Sequence, residues 1–148
     1  MTNGNPALPS EFLQWLGKLP ELHVARFQKN EWQFWTEEEL QETTRVNKIT
    51  STHIGMMVGF VAMYRSMGLA AAKGPAGKPF PYEKLERCLV LATDNEDFLI
   101  VNPDEGYSVW KFCPDYSKSG EVKVVAASLT EFMEQATIED ADADDLDY

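Results

Sequence analysis

Few side chains in this chain are spaced for catalysis or metal binding. Neither histidine, His23 or His53, lies at ligand spacing to the other or to Cys88 or Cys113, and no Cys-x-x-Cys or His-x-x-x-His occurs. A Ser-His-Asp or Cys-His set could still meet in the fold, but no Gly-x-Ser-x-Gly elbow is present. The stretch Gly74-Pro75-Ala76-Gly77 puts a proline where a phosphate cradle needs free N–H groups, and no Gly-Lys-Ser/Thr follows, so it reads as a connector. No catalytic residue, metal or cofactor is assigned. What the chain does concentrate is negative charge. Asp94-Asn95-Glu96-Asp97 has the composition of a calcium loop but lacks its glycine and its closing glutamate. It reads either as a solvated hairpin turn or, with Asp104 and Glu105, as part of an acidic surface that recognises a protein partner. The four tryptophans, Trp15, Trp32, Trp35 and Trp110, read as core; an aromatic cage for a small ligand is the alternative, and no spacing selects it.

The two acidic turns belong to a run of strand signals from Leu89 to Ala126. Leu89–Ala92, Phe98–Val101, Tyr107–Phe112 and Val122–Ala126 are short apolar or β-rich runs separated by turn residues. Pro103 and Gly106 mark the turn over 102–106. Trp110 and Phe112 are expected to face inward. Ser128 with Glu131 opens a terminal helix as a capping box. Upstream, Ser10 is a candidate N-cap for a helix carrying Phe12, Leu13, Leu16 and Leu19, stopped by Pro20. Residues 22–29 are ambiguous, and Trp32, Phe34 and Trp35 are β-prone. Thr36 and Glu39 make another capping box, which predicts a helix of two to three turns to near Val46. The run from Ile54 to Tyr64 is too short to span a bilayer. Being apolar on nearly every side, it predicts a core helix, with Gly55 and Gly59 spaced for close contact. The alternative is a helix showing Met56, Met57, Phe60 and Met63 to a second protein. Lys73–Pro81, with three prolines and two glycines, predicts a loop without regular structure. One helical turn is expected over 82–87. Residues 1–7 and the acidic tail 138–148 are expected to be flexible.

The totals agree with one domain. The chain has 148 residues and an apolar fraction of 44%, ordinary for a globular core. Its net charge of −11 argues against nucleic acid as a partner and favours encounter with basic proteins. With no secretory signal and no lipidation motif at hand, two reduced, part-buried cysteines and a cytoplasmic location are expected, with no membrane association.

The succession of Leu89–Ala92, Phe98–Asn102, Gly106, Val109-Trp110 and Ala127-Ser128-Leu129-Thr130-Glu131-Phe132-Met133 resembles the SMI1/KNR4 family of the SUKH superfamily. The opening Leu8-Pro9-Ser10-Glu11-Phe12 is similar to that family's Leu-Pro entry into helix one, and Trp35 stands ahead of a helix. Gly17-Lys18-Leu19-Pro20 stands where the family carries Asn-Gly-Gly, and residues 48–80 are the least family-like, a helical insertion and a Pro/Gly loop. The resemblance implies a single α+β domain over 1–137, with a central, mainly antiparallel sheet and helices packed around it. It implies a non-enzymatic binding protein of the bacterial immunity type, neutralising a toxin domain (a nuclease with a basic cleft, for instance) by direct contact. The alternative is a housekeeping scaffold or regulatory binding module of the same superfamily. On this reading Asp94, Glu96, Asp97, Asp104 and Glu105 are the candidate partner-binding residues. The two turns sit at opposite ends of one strand, so at most one of them faces the partner.

Overall fold

Phe98-Leu99-Ile100-Val101 is apolar without alternation, and in a strand that pattern requires cover on both faces. The structure, a computed structural model, describes residues 8–20, 23–46, 48–115 and 118–138 and provides that cover. Its elements in chain order are α1 (Ser10–Gly17), β1 (Val24–Phe27), β2 (Asn30–Phe34), α2 (Glu37–Leu40), β3 (Thr43–Val46), β4 (Ile49–Thr52), α3 (Met57–Ser66), β5 (Ala71–Lys73), β6 (Pro79–Pro81), α4 (Tyr82–Leu85), β7 (Leu89–Asp94), β8 (Asp97–Asn102), β9 (Ser108–Cys113), β10 (Glu121–Ala126), α5 (Leu129–Gln135) and β11 (Thr137–Ile138). Nine strands form one sheet in the order β11-β1-β2-β7-β8-β9-β10-β5-β6, antiparallel except where β5 meets β10, and β3 with β4 makes a separate hairpin. This is the α+β architecture that the strand and helix signals imply. Among the described residues, no helix is long and apolar enough to cross a membrane.

Two helical layers cover the sheet, and they are offset. Phe12 and Leu16 of α1 and Leu129 and Phe132 of α5 pack on one face with Phe34, Leu99 and Val101. Met57, Phe60 and Tyr64 of α3 and Tyr82 and Leu85 of α4 pack on the other with Ile100, Phe112 and Val122. The strand registers make the offset visible. On the α3 face, the row Val24–Gln33–Thr93–Phe98–Phe112–Val122 passes from half-buried or exposed residues to fully buried ones. On the α1 face, the row Phe34–Ala92–Leu99–Lys111–Lys123 runs the opposite way, from buried apolar to charged. Only the middle of the sheet is covered twice. Leu99, Ile100 and Val101 of β8 are wholly buried there, each side chain worth about 1.5–3 kcal/mol of transfer free energy.

The turns expected at 94–97 and 102–106 are present. Asp94 pairs with Asp97 across a two-residue turn, with Asn95 left-handed at φ 56°. Gly106 takes φ 65°, which a glycine adopts without a Cβ penalty. Ser128 caps α5 by accepting from the Glu131 N–H at 3.1 Å, but the box is half formed, because Glu131 Oε1 accepts from Gln135 Nε2 instead. Cys88 is buried and Cys113 half-buried, both as free thiols.

Several expectations are corrected. Ser10 is the first helical residue and not the cap; Pro9, at φ −59°, is already set for helix entry, and its carbonyl accepts from the Leu13 N–H. The Thr36–Glu39 capping box forms in both directions, at 2.9 and 3.1 Å. Its helix nevertheless stops after one turn at Leu40, because the β-branched runs Thr43-Thr44 and Ile49-Thr50 pair as a hairpin. Residues 71–81 are a hairpin, not a structureless loop. Proline suits β6, since an edge strand needs a ladder on one side only. The helix over 57–66 is core: Met56, Met57 and Phe60 are buried, so the face proposed for a second protein is not on offer. Gly59 does mark a close contact, but with Val46 of β3 and not with a helix. Trp110 is only half-buried, because the Val124 opposite it is 59% exposed at the margin of the α3 layer. The last edge strand, β11, pairs Ile138 with Ala25, so regular structure reaches one residue into the proposed tail; 139–148 and 1–7 lie outside the described residues.

Candidate functional site

The five candidate carboxylates divide by what already holds them. Asp94 Oδ2 accepts from Asn30 Nδ2 at 2.7 Å and from the Glu31 N–H at 3.2 Å, tying β7 to β2. Asp97 is half-buried beside Cys113; burial first, and then the Asp97 carboxylate, pushes the Cys113 thiol up to about 11. Asp104 is gripped by both Arg87 Nε and Arg87 Nη2, and this hydrogen bonding holds its carboxyl below the usual range. Glu105 meets Lys84 Nζ at 2.9 Å. Lys84 of the short helix α4 and Arg87 just beyond it therefore bring two cations to the second acidic turn and neutralise it locally. Glu96 alone stands exposed without a carboxylate bond among the described residues. Strand β8 runs from Asp97 in one turn to Asn102 in the other, five steps of about 3.4 Å or about 17 Å, so the turns make two small sites and not one patch.

A stronger acidic surface lies elsewhere. An open groove of about 860 Å3 runs between α1 and α2, lined by Leu13, Leu16, Gly17, His23, Glu37 and Glu38 among others. Leu13 and Leu16 face it because they share the side of α1 that turns toward the core. The opposite wall exists because Thr36 starts a helix there. Only Glu39 serves the capping box, so Glu37 and Glu38 are surplus to it. Both are exposed, neither takes part in a salt bridge among the described residues, and Glu42 follows one turn later. His23 closes the end of the groove in a left-handed conformation, φ 55°, with its backbone N–H donated to Pro20 and its carbonyl accepting from the Phe34 N–H. The arrangement offers an apolar floor beside uncompensated negative charge. That combination is chemically complementary to a cationic or amphipathic segment, whose charge it would attract and whose apolar side the floor would cover. The sequence signal for this wall was the triple Glu37-Glu38-Glu39, of which a capping box accounts for one member.

Among the described residues no group of three or more His, Cys, Asp or Glu side chains is placed to hold a metal ion. His23 and His53 lie in different pockets, the latter beside Trp35. Burial pushes the Cys88 thiol up to about 12. Comparison with family models, with curated proteins and with solved structures finds no match for this chain.

Proposed function

We propose that this chain is a non-enzymatic, protein-binding domain of the SMI1/KNR4 (SUKH) type, acting in the bacterial cytoplasm as an immunity protein that neutralises a toxin by covering a basic site. The observation that carries the reading is the α1–α2 groove, where Glu37 and Glu38 stand unpaired beside the apolar Leu13. The turn carboxylates Asp104 and Glu105 are engaged internally, so this reading places the partner contact at α2, with the tip at Glu96 as its rival. Attraction of a basic cleft to this wall raises the encounter rate, and burial on the groove floor slows departure.

The test is co-expression with the product of the reading frame immediately upstream, followed by stopped-flow binding at two salt concentrations. Under this reading the chain protects the host and forms a complex. Glu37→Lys with Glu38→Lys lowers the association rate by about tenfold and flattens its salt dependence. Asp104→Asn leaves the rate unchanged. Absence of both protection and complex refutes the immunity assignment. A complex insensitive at Glu37 and Glu38 but slowed by Glu96→Lys would move the site to the β7–β8 turn.

A further inference from the structure

On the other face of the sheet, where the α3 layer ends, the row that descends from Phe112 to Thr93 surfaces at Phe98. A pocket of about 370 Å3 opens there between the sheet, α3 and the β3–β4 hairpin. Phe60 and Met56 form its buried floor, and Trp35, His53, Phe98 and Arg45 border it. We propose that it binds a small planar anion, an aromatic or heteroaromatic carboxylate of one or two rings.

Three observations carry this assignment. The walls are rings left half open: Trp35 and Phe98 are only half-buried, Phe98 sits edge-on to Phe60 at 5.5 Å, and Trp35 lies 4.8 Å from the His53 ring at a tilt of 34°. Aromatic faces so placed accept a further flat ring in offset or edge contact. Secondly, the His53 ring is fixed. Its backbone N–H donates to Glu42, and its Nδ1 lies 3.0 Å from the Glu39 carbonyl, which can only accept, so Nδ1 carries the proton there. The wall therefore exists before any ligand arrives and costs little to order. Thirdly, Arg45 meets no carboxylate among the described residues. Of the chain's four arginines, Arg26 pairs with Glu31, Arg65 with Glu86 and Arg87 with Asp104, whereas Arg45 makes no ion pair among the described residues, although the chain carries 24 acidic side chains. A guanidinium fork left open beside an aromatic pocket matches a carboxylate in two parallel hydrogen bonds.

The same features limit the ligand. A quaternary ammonium suits an aromatic cage, but Arg45 would repel it. A polyphosphate would meet one cation on a protein of net charge −11, so a single negative charge fits best. The volume, at the lower end of ligand pockets, takes one or two rings.

The pocket is separate from the α1–α2 groove, and its ligand is independent of the proposed partner. Binding is tested by titrating the full chain with indole-3-acetate, benzoate and the neutral indole-3-acetamide, reading amide shifts by NMR and affinity by calorimetry. The expected result is that indole-3-acetate shifts the amides of Trp35, His53 and Phe98. It should bind about tenfold tighter than the amide, a preference lost in Arg45→Gln, which alters an exposed residue and leaves the fold intact. No shifts with any probe at about 5 mM, shifts confined to other regions, or an acid-to-amide preference unchanged by Arg45→Gln would each overturn the proposal.

Discussion

Gly59 lies in the third position of α3, and a Cβ built there would stand 2.7 Å from Val46 Cβ and 3.3 Å from both Val46 Cγ1 and the Val46 carbonyl oxygen. Carbon atoms prefer about 3.5–4.0 Å, so Gly59→Ala requires helix and hairpin to separate by roughly 1 Å. No rotamer relieves it, because the closest atoms on both sides are Cβ atoms fixed to backbone. Alanine gains about 1 kcal/mol over glycine in a helix interior. Overpacking costs about 1–3 kcal/mol, and a clash between two Cβ atoms belongs at the upper end. The net expectation is a loss of about 2 kcal/mol, or about 4–8 °C in Tm for a domain of this size. Urea unfolding followed by circular dichroism measures it as a lower midpoint with unchanged slope. Val46→Ala keeps the offending Cβ and should not rescue Gly59→Ala. Val46→Gly removes it, and a cycle with Gly59→Ala should show a favourable coupling of about 1–2 kcal/mol. A stabilising Gly59→Ala, or a coupling near zero, would refute the seating of the β3–β4 hairpin on α3.

Three further outcomes are expected. Because the folded thiols of Cys88 and Cys113 are raised to about 12 and about 11 from an ordinary value near 9, the unfolded chain loses these protons first; their contribution to stability is complete below about pH 9 and is lost as pH rises toward 11–12. At pH 8, Cys88 should react with a disulfide reagent only on unfolding and Cys113 more slowly than a free thiol; rapid labelling of Cys88 in the folded state would contradict its burial. Trp110→Ala should cost about 2 kcal/mol in urea unfolding, less than the 3–5 kcal/mol of a fully buried aromatic, since Trp110 packs half-buried against the edge of the α3-side core, with edge contact to Phe80 at 5.1 Å, the Lys84 ammonium 5.5 Å from its ring and a hydrogen bond from Nε1 to Ser108. A loss as large as that of Phe112→Ala would place Trp110 in the core.

The strands and turns from Leu89 to Ala126 were legible because period, Pro103 and Gly106 all report on local geometry. The extent of α2 was not, because a capping box specifies a start and carries no information about length. The β-branched residues from Thr43 to Thr52 held the contrary signal, and pairing of β3 with β4 decided in its favour. The prolines of 73–81 announced a break and concealed an edge strand, since whether a missing N–H matters depends on which side of the strand has a neighbour. The acidic turns were placed correctly, but the ion pairs of the second were not visible. What neutralises Asp104 and Glu105 is a pair of cations, Lys84 in α4 and Arg87 just beyond it, and tertiary proximity of that kind leaves no mark in spacing.

The offset of the two helical layers explains where the proposed pocket falls in this fold. A sheet covered equally on both faces would bury every strand and leave only loops to meet a ligand. Here each layer stops partway, and the strand registers show where: at Phe98 on one face, at Lys111 on the other. Where a layer stops, apolar residues that would otherwise be core are left beside polar neighbours. Phe98 next to Thr93 is such a lip, and the pocket of Trp35, His53 and Arg45 is built on it. The α1–α2 groove has a different origin: it opens where α1 faces a helix only one turn long. Had α2 run on to Val46, it would have continued over the ground now occupied by the β3–β4 hairpin, and the hairpin that walls the pocket would not exist. The early end of that helix is therefore the local event on which the pocket depends, and the residues that enforce it are the threonines and isoleucine of the hairpin.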